Sequence, residues 1–349
     1  MDRIIFSVLI CTWLLIVSNK TQAADNAVIL LYHHLSDATP ASTSVSPETF
    51  QQHMSYLAEH YNVLPLKDVV VALKNKQSLP DNAVAITFDD GFKNIYQNGH
   101  PILAKLHLPY TVFINPDLVN KVNYHLSWDD MKNMAKQGAS FANHNLRHEH
   151  LLTRLPDEND EAWLVRRITD IQQAETLLED NLDVKDKFLA YPYGEFSPAL
   201  QARITELGYV GFAQYSGAIA SFSDFSALPR FPAAGIYANL DRLKVKIASL
   251  ALPVSEVTPV SPLVDGNAFT FQFKVQSDDI NNRQLSCYFQ GSSQPITRKS
   301  EYVSVSFAKK LPVGRSRINC TAPSISQPSR YYWYSKPWFI PTSEGKWLD

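Results

Sequence analysis

Between about residue 27 and residue 250, short apolar runs alternate with longer stretches whose apolar residues recur at helical spacing. The apolar runs predict strands, and the amphipathic stretches predict helices. Roughly seven such strand–helix units favour an α/β fold with a mainly parallel sheet, arranged as an incomplete or distorted (β/α) barrel. The predicted strands are Val28–Tyr32, Asn62–Leu64, Val84–Phe88, Tyr110–Ile114, Ser140–Asn143, Phe188–Tyr191 and Val210–Ala213.

Start and stop signals delimit the predicted helices. A serine followed by proline supplies a cap and a first-turn residue, and a serine with an acidic residue three positions on supplies a capping box. The predicted helices begin at Ser46-Pro47, Ser127, Asp160 and Ser197-Pro198, and the last three end at Gly138, Leu182 and Gly208.

The pattern changes near residue 250. A proline-rich stretch, Ser249–Pro262, is followed by apolar residues that alternate with polar ones, as in Phe269–Val275 and Val303–Phe307. This period of two predicts a small antiparallel β domain, with a sandwich as the expected form. We therefore expect a large domain at residues 24–250, a linker at 251–262 and a β-sandwich domain at 263–349.

The N-terminal residues have the layout of an export signal. Arg3 precedes the apolar run Ile4–Val17, and small residues follow at Ala23 and Ala24. This predicts a signal peptide at residues 1–23 and a periplasmic or secreted protein. The alternative is a membrane anchor, but the run is short for a bilayer, and we expect no transmembrane segment in the mature protein.

Composition narrows the function further. The formal net charge is −2 with no basic block, which argues against nucleic acid as a partner. After removal of the signal peptide, two cysteines remain, Cys287 and Cys320. In an exported protein they are expected to form a disulfide.

Two adjacent carboxylates, Asp89 and Asp90, end the predicted strand Val84–Phe88. Such a pair needs a neutralising partner, because like charges repel and burial penalises both. His144 and His148 follow another strand and are four residues apart. Two histidines and one carboxylate make an open metal site, for which Zn²⁺ is the expected ion and Ni²⁺ or Co²⁺ would also suit. The alternative is a solvated histidine-rich loop.

Three stretches together resemble the polysaccharide deacetylase family (carbohydrate esterase family 4, the NodB homology domain). They are Thr87-Phe88-Asp89-Asp90-Gly91, His144–His148 and Tyr191-Pro192-Tyr193-Gly194, and the resemblance covers about residues 27 to 235. The chain departs from the family pattern at Asn145, where serine or threonine is usual, and at Ala190, where the family has arginine. It also has no histidine after His150.

These departures are similar to those of the circularly rearranged deacetylases that act on poly-N-acetylglucosamine. The resemblance then implies roles for individual residues. Asp90, His144 and His148 would bind the metal, while Asp89 would be the general base. His33 would be the general acid, with His34 as the alternative, and the Tyr193 backbone N–H would stabilise the oxyanion. Arg230 would replace the missing arginine. The residues expected to contact substrate are Trp128, Tyr191, Pro192 and Arg230.

The implied reaction is removal of N-acetyl groups, with release of acetate, from a polymer or oligomer of N-acetylglucosamine of the biofilm, chitin or peptidoglycan type. One alternative is an O-acetyl esterase acting on a glycan such as xylan, since the same metal and base would serve. An ester, which has the better leaving group, should tolerate loss of His33 more readily. Another alternative is a non-catalytic glycan-binding protein. The aromatic run Tyr331–Tyr334 with Trp338 would either stack on sugar rings or pack in the β domain.

Overall fold

The apolar runs of the first region form one curled, mainly parallel sheet in the computed structural model, which describes residues 25–348. Its order is β10-β1-β5-β6-β7-β8-β9, with β4 beside β5 and β11 beside β1, while β2 and β3 pair separately. All seven predicted strands are present, with ends shifted by one or two residues. The strands are β1 (Asn26–Tyr32), β2 (His34–Leu35), β3 (Ser44–Val45), β4 (Asn62–Val63), β5 (Ala83–Phe88), β6 (Tyr110–Ile114), β7 (Ala139–Asn143), β8 (Phe188–Ala190), β9 (Val210–Phe212), β10 (Ile219–Ala220) and β11 (Phe231–Pro232).

The helices begin where the capping signals predict. The Ser46 side chain accepts a hydrogen bond from the Thr49 N–H, and Ser127 and Asp130 form a complete capping box. A π-helical turn precedes α3. The helices are α1 (Pro47–His60), α2 (Leu66–Lys74), α3 (His100–Lys105), α4 (Trp128–Ala135), α5 (Asp160–Leu182), α6 (Pro198–Glu206) and α7 (Leu240–Ile247).

Residues 228–232 connect the two ends of this sheet. Leu228 forms a bridge with Phe212 at the end of β9, and β11 pairs in parallel with β1 through Phe231 and Leu30. Arg230 lies between these two contacts. The sheet is therefore curled into an incomplete (β/α) barrel, as predicted, and the carboxyl ends of β1, β5, β7 and β8 meet at one rim, where such folds carry their working residues.

The second region is a two-sheet β-sandwich. One sheet has the order β12-β20-β19-β15-β16 and the other β13-β14-β18-β17. Its core includes Phe271, Phe273 and Trp338, and Cys287 and Cys320 form a disulfide between paired positions of β15 and β19. The strands are β12 (Leu250–Ala251), β13 (Val254–Thr258), β14 (Phe269–Val275), β15 (Ser286–Phe289), β16 (Ser292–Gln294), β17 (Thr297–Lys299), β18 (Tyr302–Phe307), β19 (Gly314–Pro323) and β20 (Tyr331–Ile340).

One expectation for the second region needs correction. The segment 251–262, expected to be a linker, contains β13, because Val254 and Ser255 pair with β14 and complete a sheet of the sandwich. The aromatic run is divided between exposed and buried positions: Tyr331 is 42% exposed, and Trp333 and Tyr334 line a cleft, so sugar stacking stays a prediction. Trp338 is fully buried in the sandwich core, and the Trp333 ring packs edge-on against Phe231 of the barrel.

The sandwich packs directly on the barrel. Besides the Trp333–Phe231 contact, the Phe339 and Phe196 rings lie 5.5 Å apart in an edge-to-face arrangement. β12 leaves the barrel and pairs with β20, so that main-chain hydrogen bonds also join the two regions. The described part of the chain contains no helix long and apolar enough to cross a membrane. The predicted signal peptide lies outside the described residues.

Candidate metal and catalytic site

Three of the predicted metal ligands converge at the rim of the barrel. One ligand atom from each of Asp90, His144 and His148 lies within 4.8 Å of the others. Both histidines direct Nε2 toward the same oxygen, Asp90 Oδ1, at 3.1 Å from His144 and 3.2 Å from His148. The structure thus brings together side chains that are more than fifty positions apart in the sequence.

The backbone of the first motif separates the two aspartates. Asp90 has a φ of 70° and Gly91 a φ of 64°, a left-handed turn that glycine adopts without strain. The His125 Nδ1–H donates to the Asp90 carbonyl at 2.9 Å and holds this turn. Asp89 therefore points into the barrel, where it is fully buried, whereas Asp90 faces the histidines.

The turn that carries the histidines is also left-handed at one position. Asn145 has a φ of 64°, and its N–H donates to the Asn143 side chain at 2.8 Å. Asparagine tolerates this conformation better than most non-glycine residues do. The His144 Nδ1–H donates to the Ala190 carbonyl at 2.8 Å, so that Nε2 presents its lone pair to the site.

The charges and atoms at this position fit a divalent cation. Asp90 Oδ1 is buried and has no hydrogen-bond partner among the described residues. Burial alone would lower the pKa of His144, but the carboxylates of Asp89 and Asp90 raise it, so the site favours positive charge. Burial lowers the pKa of His148 to about 4 and keeps that imidazole neutral. A divalent cation would supply that positive charge in place of the His144 proton, and two imidazoles and one carboxylate form an open ligand set.

Asp89 is held by a fully buried arginine. Arg230 Nη1 and Nη2 each donate to one Asp89 oxygen at 2.7 Å, and both side chains have no exposed surface. Arg230 Nε also donates to the Ala213 carbonyl at 3.0 Å, which fixes the guanidinium. Burial alone would raise the pKa of the Asp89 carboxyl, but Arg230 and His144 hold it below its ordinary value. Asp89 therefore stays ionised beside the metal ligands, with Oδ2 at 3.9 Å from His144 Nε2.

The two adjacent histidines at the end of β1 have different surroundings. His33 Nε2 contacts the Gln214 side-chain amide at 3.0 Å, and the His33 ring lies close enough to lower the pKa of both Asp89 and Asp90. His34 stacks on Phe92 with ring centroids 3.6 Å apart. Burial lowers its pKa to about 4. His33 lies near both aspartates, whereas His34 is packed against Phe92, and the assignment of His33 as the proton donor stays a prediction.

Tyr193 has a left-handed backbone, with φ 58° and ψ 3°. Three side chains lie against its ring: His148, His150 and Arg315. His150 stacks on the Tyr193 ring at 3.9 Å and contacts the fully buried Glu195 at 2.9 Å. Arg315 of the sandwich lies over the same ring, and its Nη1–H donates to the Tyr193 carbonyl at 2.9 Å. Both regions of the molecule thus fix this turn.

Several residues expected to contact substrate are placed elsewhere. Tyr191 is fully buried and donates its hydroxyl to the Ser226 carbonyl at 2.6 Å, and Pro192 is also buried. Trp128 begins α4 and is only partly buried against the barrel core, so its contact with substrate stays a prediction. Arg230 is fully buried in its pair with Asp89, so it acts on the carboxylate rather than on substrate.

Sequence reasoning missed four residues that shape the site: His125, Glu195, Gln214 and Arg315. Glu195 directly follows the Tyr191–Gly194 stretch, and a carboxylate in that position could have drawn attention. Arg315 lies 122 positions from Tyr193, and no local pattern marks it.

Comparisons with known proteins show which proteins this chain resembles. A family model described as polysaccharide deacetylase matches residues 76–212. The chain is 30% identical over 207 residues to the poly-β-1,6-N-acetyl-D-glucosamine N-deacetylase of Staphylococcus aureus strain MRSA252, covering 57% of this chain and 71% of that protein.

Two solved structures have a similar fold. The Streptococcus pyogenes deacetylase PplD in complex with acetate has a TM-score of 0.56 at 24% identity, over 64% of this chain and 98% of that one. IcaB from Ammonifex degensii has a TM-score of 0.55 at 19% identity, also over 64% of this chain and 98% of that one.

Proposed function

The chain belongs to the polysaccharide deacetylase family, and from that premise we propose that it is a metal-dependent de-N-acetylase. Its substrate would be a polysaccharide or oligosaccharide that contains N-acetylglucosamine, and its product acetate. In chemical terms it would be a hydrolase that acts on carbon–nitrogen bonds other than peptide bonds. The named activity of the Staphylococcus aureus relative supports this substrate class.

One observation carries the proposal. A buried carboxylate that is not a metal ligand, Asp89, lies beside a ligand set with room for substrate, Asp90, His144 and His148. A divalent cation held by that set would polarise an acetyl carbonyl and lower the pKa of a water molecule. Acyl transfer to water also needs a base, and Asp89 stands 3.9 Å from the nearest ligand nitrogen.

The chain's own residues would divide the remaining work. Asp89, kept ionised and oriented by Arg230, would accept the proton of the attacking water. The Tyr193 N–H would donate to the oxyanion as negative charge develops on the acetyl oxygen. His33 would then protonate the departing amine. Because an amine is a poor leaving group, amide cleavage depends on that proton.

Acetate release tests the proposal. The chelator-treated full-length mature protein would be assayed on β-1,6- and β-1,4-linked N-acetylglucosamine oligomers, with and without added Zn²⁺, Ni²⁺ or Co²⁺. We expect release that depends on the added metal, and the preferred linkage would identify the glycan. Release from acetylated xylan alone would instead indicate an O-acetyl esterase. No release from any of these glycans would contradict an enzymatic function of this kind.

We also propose that the protein acts outside the cytoplasm, in the periplasm or as a secreted enzyme. The apolar run Ile4–Val17 and the disulfide between Cys287 and Cys320 support this, since disulfides persist in oxidising compartments. Mass spectrometry of the exported protein should find an N-terminus at Ala24 or Asp25. An N-terminus at Met1 in a membrane fraction would contradict cleavage.

A further inference from the structure

A cleft of about 590 Å³ runs along the boundary between barrel and sandwich. Its barrel side includes Tyr193 and Gln214, the residue whose amide contacts His33. Its sandwich side includes Arg315, Arg317 and Asn319 of β19. Pockets of this size hold small ligands or parts of larger ones. The cleft therefore borders the proposed catalytic site at Tyr193 and Gln214, and a long ligand bound at that site could extend into it.

The cleft is lined by positive charge without compensation. Its lining contains two arginines, Arg315 and Arg317, and no aspartate or glutamate. Among the described residues, neither guanidinium has a carboxylate within ion-pair distance. Most other arginines of the described chain are paired in this way: Arg147, Arg154, Arg166, Arg167, Arg203, Arg230 and Arg330. Arg242, Arg283 and Arg298 also have no ion pair among the described residues, but they lie outside the cleft, whose only charged lining residues are Arg315 and Arg317.

Both guanidinium groups are already positioned. Arg315 donates to the Tyr193 carbonyl at 2.9 Å, and Arg317 Nη2 donates to the Tyr237 hydroxyl at 3.0 Å. They come from alternate residues of one strand, so they project from the same face of it. Each guanidinium has five N–H donors in a planar fork, so N–H groups remain for a ligand. Binding would cost little side-chain entropy, because the contacts to tyrosine already order both groups.

A third basic side chain lies beside the two arginines, because Lys246 and Arg317 both lie over the Tyr237 ring. Lys246 lies 4.2 Å from the centre of the Tyr237 ring and donates to the Pro232 carbonyl. Burial and then the charge of Arg317 lower the pKa of Lys246 to about 7.

We propose that this cleft binds the part of the glycan next to the reacting residue and selects glycans that carry a carboxylate there. The inference rests on the proposed function and narrows its substrate class from N-acetylglucosamine glycans in general to acidic ones. A carboxylate accepts paired, charge-assisted hydrogen bonds from a guanidinium, whereas neutral sugar hydroxyls bring no negative charge to offset that of the two arginines. The sandwich is then the part of the enzyme that determines which glycan is accepted.

The test uses two oligosaccharides that differ in one group. The first is a tetrasaccharide in which every second N-acetylglucosamine residue carries a lactyl ether with a free carboxylate, and the second has that carboxylate converted to its methylamide. We expect the metal-loaded enzyme to show about tenfold higher kcat/KM for acetate release from the acid, the value of one net charge-assisted hydrogen bond. Raising the salt concentration should reduce this preference, because part of the cleft is open to solvent. Equal kcat/KM for the two oligosaccharides would overturn the inference.

Variants assign the preference to the cleft. Arg317→Gln should reduce the acid-to-amide ratio of kcat/KM to near one, and Arg317→Lys should retain part of it. Arg283→Gln removes an exposed arginine of the sandwich outside the cleft and should leave the ratio unchanged. An Arg317→Gln variant that loses activity equally on both oligosaccharides would show a structural role only and would overturn the inference.

A binding measurement separates this inference from the proposed function. Full-length Asp89→Asn protein would be titrated with both tetrasaccharides by calorimetry, which needs no turnover. About tenfold tighter binding of the acid would support the cleft even if no acetate is released from any glycan, a result that would contradict the de-N-acetylase proposal alone. Equal affinities beside normal acetate release would overturn the cleft and leave the reaction in place.

Discussion

Asp89 and Asp90 are neighbours in the chain, but their negative charges are neutralised in different ways. We call Asp89 with Arg230 the base half of the site, and Asp90 with His144 and His148 the metal half. In the base half, a buried arginine from a segment 141 positions away is built into the fold and pairs with Asp89. In the metal half, Asp90 meets two histidine nitrogens and has no permanent cation among the described residues. The first half is therefore complete in the folded chain, and the second is completed by a bound ion. The comparison predicts that changes in the two halves will have different signatures.

The largest effect is expected in the metal half, from Asp90→Asn. The amide keeps the size of the side chain but removes the only carboxylate from the ligand set, so metal affinity should fall by orders of magnitude. Acetate release should drop to the level without enzyme. Elemental analysis after dialysis should find little metal, and a variant that retains one metal per chain would contradict the assignment of Asp90.

Asp89→Asn should reduce catalysis without changing metal binding. Because Asp89 is proposed as a base and not as a ligand, kcat should fall about 10²- to 10⁴-fold while the metal content stays that of the wild type. Elemental analysis and acetate release, measured on the same sample, check both parts. Loss of metal together with activity would place Asp89 among the ligands instead.

Arg230→Met removes the positive charge that pairs with Asp89 in the fold. Removing one partner of a buried ion pair leaves the other charge uncompensated, which costs about 3–5 kcal/mol in the free energy of unfolding. Denaturant unfolding of chelator-treated protein should show this loss, and added metal should recover part of it by offsetting the Asp89 charge. The double variant Arg230→Met/Asp89→Asn is the control and should be more stable than Arg230→Met alone. Equal stability of the two would mean that the pair is not coupled as the geometry indicates.

Arg315→Ala should have a smaller effect, because it acts through the turn at Tyr193. Without the guanidinium, the Tyr193 carbonyl loses one hydrogen bond and the Tyr193 ring loses one cation–π contact. We expect kcat to fall about tenfold, which corresponds to about 1.4 kcal/mol in activation free energy. Metal content should not change. Arg283→Ala, in the same domain but away from the site, is the matched control and should behave as the wild type. A change in metal affinity would argue that Arg315 supports the ligands instead.

The smallest effect concerns His34, which faces Asp90, His33 and His125. Burial lowers its pKa to about 4, while an unfolded histidine titrates near 6.5. As the pH falls from 6.5 toward 4, the unfolded chain takes up a proton that the folded chain does not, so stability falls. Because the ring is only half-buried, we expect a contribution of about 1 kcal/mol or less.

Thermal unfolding at several pH values would measure this contribution. His34→Gln should make the loss of Tm between pH 7 and pH 5 smaller than in the wild type. An unchanged pH dependence would show that His34 titrates normally. Other histidines also have lowered pKa values, among them His125 and His148, so the dependence should weaken rather than vanish.

The sequence predicted the features that depend on residues close together in the chain, and it did not predict those that depend on contacts between distant segments. Strands and capped helices depend on local patterns, and α5 spans the predicted Asp160–Leu182 without a shift. The metal half is encoded in two short motifs at strand ends, so parallel strands were enough to bring them together. The sequence also suggested Arg230 as the missing arginine, but not its burial or its bidentate contact, because these depend on how residues 228–232 connect the ends of the sheet. Arg315 could not be found, since its contact depends on how two regions pack.

The aromatic run shows that a local sequence pattern can also suggest more than one role for the same residues. Tyr331–Tyr334 and Trp338 suggested a surface for sugars, because pattern alone does not distinguish an exposed ring from a buried one. In the fold, Trp338 and Trp333 are used for packing. The residues of the sandwich that do face the proposed site are arginines, whose polar character gives no hint of their location.

The hydrogen bond from Arg315 to the Tyr193 carbonyl has a consequence for how this enzyme can be divided or recombined. A gene shortened after the barrel would still encode every metal ligand and the base, yet its product would lack a side chain that holds the rim in shape. Exchange of the sandwich for an unrelated domain would have the same result. The two regions are therefore not interchangeable modules, and recombination at the junction near residue 250 should yield functional descendants only when both parts come from the same parent.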